Sequence, residues 1–234
     1  MDSTTRISRP APFSAGPHAR IRALLLAALL VTMMGATGCL EFLVAAGLFP
    51  RPKVEAAFKF GEGAVAVLVD DYQEVFYWPD TKNTLSESIV EELINRGAVE
   101  TVIPSAAVNR LRQTDPKFDE RACTEIGRML NADQVLLVEA RSFYAIEDPA
   151  EQEAEARMSV SIKVINALET QDRRKVRLWP RAREGYILEA ELIRGELIEA
   201  KTRSRILRRL TDRLAEKIVR KFYDRRMDTF EKEE

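Results

Sequence analysis

The stretch "EIGRMLNADQVLLVEA", Glu125 to Ala140, changes its hydrophobic period halfway, and that change decides the fold. Its first part closes a longer run, "DPKFDERACTEIGRMLNAD", in which Phe118, Ala122, Ile126 and Met129 or Leu130 fall on one side of a helix. Its second part continues as "QVLLVEARSF", a short run that is apolar in its middle and reads as a buried strand. A helix feeding a buried strand is the repeating unit of an α/β domain.

Working outward, the same alternation recurs on both sides. Upstream, "AVAVLVDDY" (Ala64 to Tyr72) is a valine-rich buried strand. "TLSE" at Thr84–Glu87 has the form of a capping box, and the helix it predicts carries Leu85, Ile89 and Leu93, widened by Val90 and Ile94. Gly97 is placed to end that helix in the left-handed conformation. "VETVIP" is a second short strand stopped by Pro104, and "SAAVNRLRQ" a short helix with Ser105 placed as its cap. Downstream, "MSVSIKVI" alternates: Met158, Val160, Ile162 and Val164 face one way, and Ser159, Ser161 and Lys163 the other. "QDRR" is a turn, "KVRLWP" a returning strand and "GYILEAELI" one more strand. A long helix from about Arg203 to Asp228 closes the chain, with Leu207, Leu210, Leu214, Ile218 and Phe222 as its stripe.

The expected architecture is an α/β sandwich, with a mixed sheet of about five strands and three to four packed helices, preceded by a signal or anchor helix. Residues 1–22 are expected to form a basic flexible region, 23–38 a hydrophobic signal or anchor segment, 39–63 the lipidated start and linker, and 64–234 the α/β domain. "EDPAEQEAEAR" (147–157) is acidic, lacks apolar periodicity and reads as an exposed loop. No repeat period appears.

The amino-terminal segment fixes the expected compartment. Arg6, Arg9, Arg20 and Arg22 precede the uncharged run "ALLLAALLVTMM", which gives way to "GATG" and then Cys39. Positive, apolar, small is the order of a secretory signal. It resembles the bacterial lipoprotein signal: Thr37, Gly38 and Cys39 fit its small–small–cysteine ending, while Ala36 stands where Leu is preferred. The resemblance implies cleavage before Cys39 and lipid on its sulfur. The alternatives are an uncleaved anchor, since the uncharged run from Ala23 to Leu40 is at the lower limit for a membrane-spanning helix, and a soluble chain. On the first two readings the arginines stay inside, and everything after residue 50 lies on the far, periplasmic side of the cytoplasmic membrane.

The ordered series of phrases carries a second resemblance. "VAVLVDDY", "EIGRMLNADQVLLVEA", "MSVSIKVINALETQDRR" and "LTDRLAEKIVRKFYD" resemble, in that order, phrases of the envelope superfamily that includes CsgG-like curli-secretion proteins, LpoB-like activators of peptidoglycan synthases and the amino-terminal domain of TolB. The likeness spans roughly Ala64 to Asp228. It implies a membrane-tethered binding, assembly or secretion module, or a subunit of an oligomeric ring and hence a homo-oligomer. Strands long enough for a membrane barrel are missing from the sequence pattern, so pore formation is not carried over.

Composition narrows the chemistry. In 234 residues the net charge is -1, with two cysteines and one histidine. His18 lies in the tail, so no serine is placed for a histidine-activated triad, and the ligands of a structural zinc site are missing. No metal, cofactor or catalytic residue is expected, and an enzyme of unrecognised type stays as the remaining alternative. Asp70 and Asp71, at the end of a buried strand, are read as loop-capping in preference to cation-binding. "GEG" at Gly61–Gly63 precedes a strand, whereas a phosphate-cradling loop follows one. Cys123 reads as a small core residue. The arginines of the last helix, Arg205, Arg208, Arg209, Arg213 and Arg220, read either as a solvated face or as a site for an acidic partner or anionic headgroups. Asp212, Glu216 and the compartment argue against nucleic acid. Phe76, Tyr77 and Trp78 form either a lid on the core or a partner hot spot. The candidate sites are therefore Cys39 for lipid, and Phe76, Tyr77, Trp78, Arg205 and Arg209 for an unidentified envelope protein.

Overall fold

The computed structural model describes residues 52–78, 80–145, 155–200 and 202–226. In chain order the elements are β1 (Lys53–Val54), β2 (Ala64–Asp70), α1 (Thr81–Asn95), β3 (Thr101–Val102), α2 (Ser105–Thr114), α3 (Cys123–Met129), β4 (Gln134–Ala145), β5 (Ala156–Asn166), α4 (Arg173–Val176), β6 (Arg177–Trp179), β7 (Tyr186–Leu192), α5 (Arg194–Ala200), α6 (Arg203–Val219) and β8 (Arg225–Arg226). The expected mixed sheet is present and has six strands, in the order β3-β2-β4-β5-β6, with β7 also on β5. β3, β2 and β4 run parallel, whereas β5 is antiparallel to β4 and pairs antiparallel with β6 and β7.

One face of the sheet is covered by α1 and α6. Val65, Val67, Val69, Leu136, Val138, Met158, Val160, Ile162 and Val164 meet Leu85, Ile89 and Leu93 of α1 and Leu207, Leu210, Leu214 and Ile218 of α6. The period-2 and period-3.6 stripes of the sequence thus face each other. On the opposite face Ala66, Leu68, Val135 and Ile165 pack under Val108, Phe118 and Ile126 from α2, the turn after it, and α3. Gly127 lets α3 come this close. A Cβ there would lie 2.6 Å from Ala167 Cβ and 2.7 Å from Val135 Cγ2.

Several helix ends differ from the sequence expectation. α1 begins at Thr81, before the "TLSE" box, and has no side-chain cap. Instead Thr84 N–H donates to Asp80 O (2.8 Å) and Thr81 Oγ1 donates to Trp78 O (2.8 Å). Ser105 is the first residue of α2, and Pro104 holds the cap position. Gly97 does close α1: its φ is 59°, its N–H donates to Ile94 O, and Ala98 N–H donates to Leu93 O, a Schellman pattern. The closing helix ends at Val219, short of Asp228. α5, between β7 and α6, was not expected.

The segment expected as linker is part of the domain from Lys53 onward. The packed unit runs from Lys53 to Arg226. β1 pairs antiparallel with β8, although they lie at opposite ends of this unit. Asp224 ties the two together, accepting from Lys53 Nζ (2.9 Å), Lys59 Nζ (2.8 Å) and Ala56 N–H (3.0 Å). Those bonds hold its carboxyl well below the usual carboxylate range. Phe58 and Phe60 then reach Phe222, at centroid distances of 6.5 and 4.7 Å. Gly63, at φ 111°, leads into β2 beside Asp133, which accepts from Ala64 N–H (2.7 Å) and leaves no room for a Cβ on Gly63. This gives the "GEG" run its structural role.

Candidate functional site

β3 and β4 flank β2 on opposite sides, and the connections to them cross opposite faces of the sheet. The carboxyl ends of β2 and β4 are therefore a topological switch point, where open α/β sheets form ligand crevices. What stands there is built by two loops and the upper halves of β4 and β5.

The first loop follows β2. Asp71 organises it: the carboxylate accepts from Val75 N–H (2.8 Å) and Phe76 N–H (3.0 Å), and Asp71 O accepts from Glu74 N–H (3.1 Å). Asp71 thus caps a loop, as read from the sequence. The aromatic block that follows divides by side chain. Trp78 is 2% exposed, belongs to the core and packs edge-on against Phe143 at 5.1 Å, with the Arg203 guanidinium 5.2 Å over its ring. As a partner contact Trp78 is thus corrected: it is a lid, with no surface to offer. Phe76 is half-buried and meets Phe143 edge-on at 5.9 Å. Tyr77 remains 56% exposed, and its hydroxyl accepts from Ala145 N–H at 3.1 Å, pinning the end of β4.

The second loop joins β6 to β7. Gly185, at φ 86°, sits against Ser161 of β5 with no space for a side chain. Ser161 Oγ donates to Glu184 O and lies 3.3 Å from Glu139 Oε2. Lys163 Nζ donates to the same Glu139 oxygen at 2.6 Å. Lys163, Glu139, Ser161 and the Glu184 carbonyl form one connected polar floor.

Around that floor opens a crevice of about 520 Å³, lined by Asp70, Tyr72, Gln73, Arg141, Arg183 and their neighbours. Tyr72 is 90% exposed. Burial, and next the charge of Glu139, raise the Asp70 carboxyl above its ordinary value. Beneath, Arg112 donates to Val69 O (3.0 Å) with its guanidinium 4.8 Å over the Phe118 ring, and burial lowers its pKa. Cys123 abuts the same cluster. Burial of its sulfur pushes the thiol up to about 12, with Asp70 and Glu139 acting in the same direction, so this half-buried side chain is held as the thiol at neutral pH.

The arginines of α6 are mostly engaged. Arg208 pairs with Glu91 (2.8 Å) and Asp212 (3.1 Å), Arg209 with Glu199 (3.2 Å) and the Glu196 carbonyl, and Arg213 with Glu196. The Arg213 guanidinium holds the Glu196 carboxyl below its usual range. Arg209, a candidate partner residue, is thus occupied within the domain, while Arg205 makes no ion pair among the described residues. Arg213 and Lys217 also reach the backbone carbonyls of Glu191 and Glu189, so two cationic side chains cover part of the β7 edge.

The structure does not bring the candidates into one site: Phe76 and Tyr77 lie at the switch point, and Arg205 and Arg209 on α6. Cys39, the hydrophobic segment and residues 147–154 of the acidic loop fall outside the described residues. Among the described residues no helix is long and apolar enough to cross a membrane, and no group of three or more His, Cys, Asp or Glu is placed to hold a metal ion. Sequence reasoning missed Glu139, Lys163, Arg141 and Arg183. The available signal was the interruption of two strand patterns by charge, Glu139 in "VLLVEA" and Lys163 in "SIKVI".

No family model matches the chain, and no curated protein is similar to it. Among solved structures it is similar to a hypothetical protein of Chlamydia trachomatis, at 17% identity and TM-score 0.40, over 68% of this chain and 94% of that one. A lipoprotein of Neisseria meningitidis is similar at 12% identity and TM-score 0.41, over 66% and 96%. The PelC dodecamer of Paraburkholderia phytofirmans is similar at 14% identity and TM-score 0.34, over 74% and 96%. The fold stands on the topology described above, not on these likenesses.

Proposed function

We propose that this chain is a non-catalytic lipoprotein of the bacterial cell envelope, tethered through Cys39, whose α/β domain is a binding accessory held on the periplasmic face. The observation that carries the reading is the order of residues 6–39: arginines, an uncharged apolar run, then Thr37-Gly38-Cys39. The domain adds support. It has no histidine, its one cysteine is a half-buried thiol whose pKa is pushed up, and its polar groups of both signs collect at the switch point.

Metabolic labelling with a fatty acid tests the tether. Cells expressing the wild-type chain incorporate label into it, and Cys39→Ala abolishes incorporation. Equal label in both overturns the lipid reading in favour of an uncleaved anchor.

A further inference from the structure

The crevice at the carboxyl ends of β2 and β4 differs from an ordinary solvated surface in how its charges are partitioned. The floor is self-satisfied, because Lys163, Ser161, Glu139 and the Glu184 carbonyl use one another. The rim is not. Asp70, Arg141 and Arg183 line the same opening, yet none of the three side chains makes a hydrogen bond or ion pair among the described residues. One free carboxylate and two free guanidiniums thus flank a floor whose own charges are consumed. The opening is about 520 Å³, within the range of small-molecule sites, and it occupies the place where this topology forms them.

The rim defines what would fit. A ligand that satisfies Asp70 must bring a hydrogen-bonding cation, and one that satisfies Arg141 and Arg183 must bring an anion with planar oxygens. A simple cation leaves the guanidiniums unmet, and a simple anion is repelled by Asp70. Lys163 is held by Glu139, so the floor adds no net demand for either sign. Tyr72 offers an apolar ring beside the opening.

We propose that this crevice binds a small zwitterion of amino-acid or dipeptide size, with its ammonium group on Asp70 and its carboxylate on Arg141 and Arg183. The proposal rests on the reading of the domain as a binding module and names the ligand class that module takes. The tether at Cys39 has no part in it, so loss of fatty-acid label leaves it standing, and failure to bind ligand leaves the tether standing.

The test is calorimetric titration of the full chain in detergent micelles with three probes: alanylalanine, its N-acetyl derivative and its carboxamide. Wild type binds the unblocked dipeptide, and blocking either end weakens binding about tenfold, the loss of one charge-assisted contact. Asp70→Asn then binds the free and N-acetyl forms equally while still discriminating against the carboxamide. Arg141→Gln combined with Arg183→Gln shows the reverse pattern. Absence of binding by wild type overturns the proposal. So does equal affinity for all three probes, or an Asp70→Asn variant weakened equally toward all three, which is the mark of a merely structural residue.

Discussion

On one face of the sheet, α1 and α6 lay an apolar layer across the four strands from β2 to β7, and the two helices interlock through Ser88, whose hydroxyl donates to Asp212 at 2.8 Å. On the other face, α2 and α3 cover β2 and the lower half of β4, and then the apolar cover stops. Beyond Leu68, Leu137 and Ile165 the side chains become Asp70, Glu139, Ser161 and Lys163. The same strands therefore serve two purposes: one face contributes stability, and the uncovered half of the other presents polar groups on a backbone that the first face holds rigid.

The largest effect is expected on the thick face, the one covered by α1 and α6. Leu214 is fully buried in α6. Leu214→Ala should cost about 2–5 kcal/mol, a large share of a stability of about 5–15 kcal/mol. Chemical denaturation measures it, and an unchanged midpoint would mean that α6 does not carry the core. The covered half of the thin face should give a smaller loss. Gly127→Ala forces a methyl group against Ala167 and Val135. Overpacking of about 1–3 kcal/mol outweighs a gain of up to about 1 kcal/mol in helix propensity, so the melting temperature falls. A rise would show that α3 can lift without penalty.

The uncovered half should give the smallest effect, with the opposite sign. The Asp70 carboxyl is raised above its ordinary value of 3.8 by burial and by Glu139. The folded protein thus holds this proton more tightly than the unfolded chain does. The associated stability is fully present below the unfolded value and is lost as pH rises through the folded one. At pH 7 the ionised side chain is a net cost, so Asp70→Asn should stabilise, by no more than about 0.5 kcal/mol for so exposed a group. In acid, where wild-type Asp70 is protonated, the two proteins should melt together. A pH-independent difference would remove Asp70 from the polar cluster.

What was legible in the sequence was whatever periodicity encodes. β5 presents Met158, Val160, Ile162 and Val164 to the core as its alternation requires, and the stripe of α6 is buried from Leu207 to Ile218. Gly97 was legible as well, because a left-handed helix end favours a residue without a Cβ. Three features were not legible. Trp78 sits in a loop by composition and in the core by structure, because its burial depends on Phe143, far away in sequence. The capping box at Thr84 went unused because the turn at Trp78–Thr81 starts the helix earlier. The rim of the crevice draws Asp70 from β2, Arg141 from β4 and Arg183 from the β6–β7 loop, and no local pattern announces such a meeting.

The β1–β8 pairing has a mechanical meaning for a tethered protein. From Cys39 to Lys53 the chain can span at most about 45 Å, taking about 3.3 Å per residue. Were Lys53 to Gly63 unpaired, the free leash would extend to β2 and reach nearly twice as far. With the proposed tether at Cys39, clasping that segment through Asp224 would shorten the leash and shrink the volume the domain explores, raising its effective concentration near the anchored surface. The seven residues of β2 set the crevice about 23 Å from the amino end of that strand, so the clasp and the crevice do not compete for the same residues.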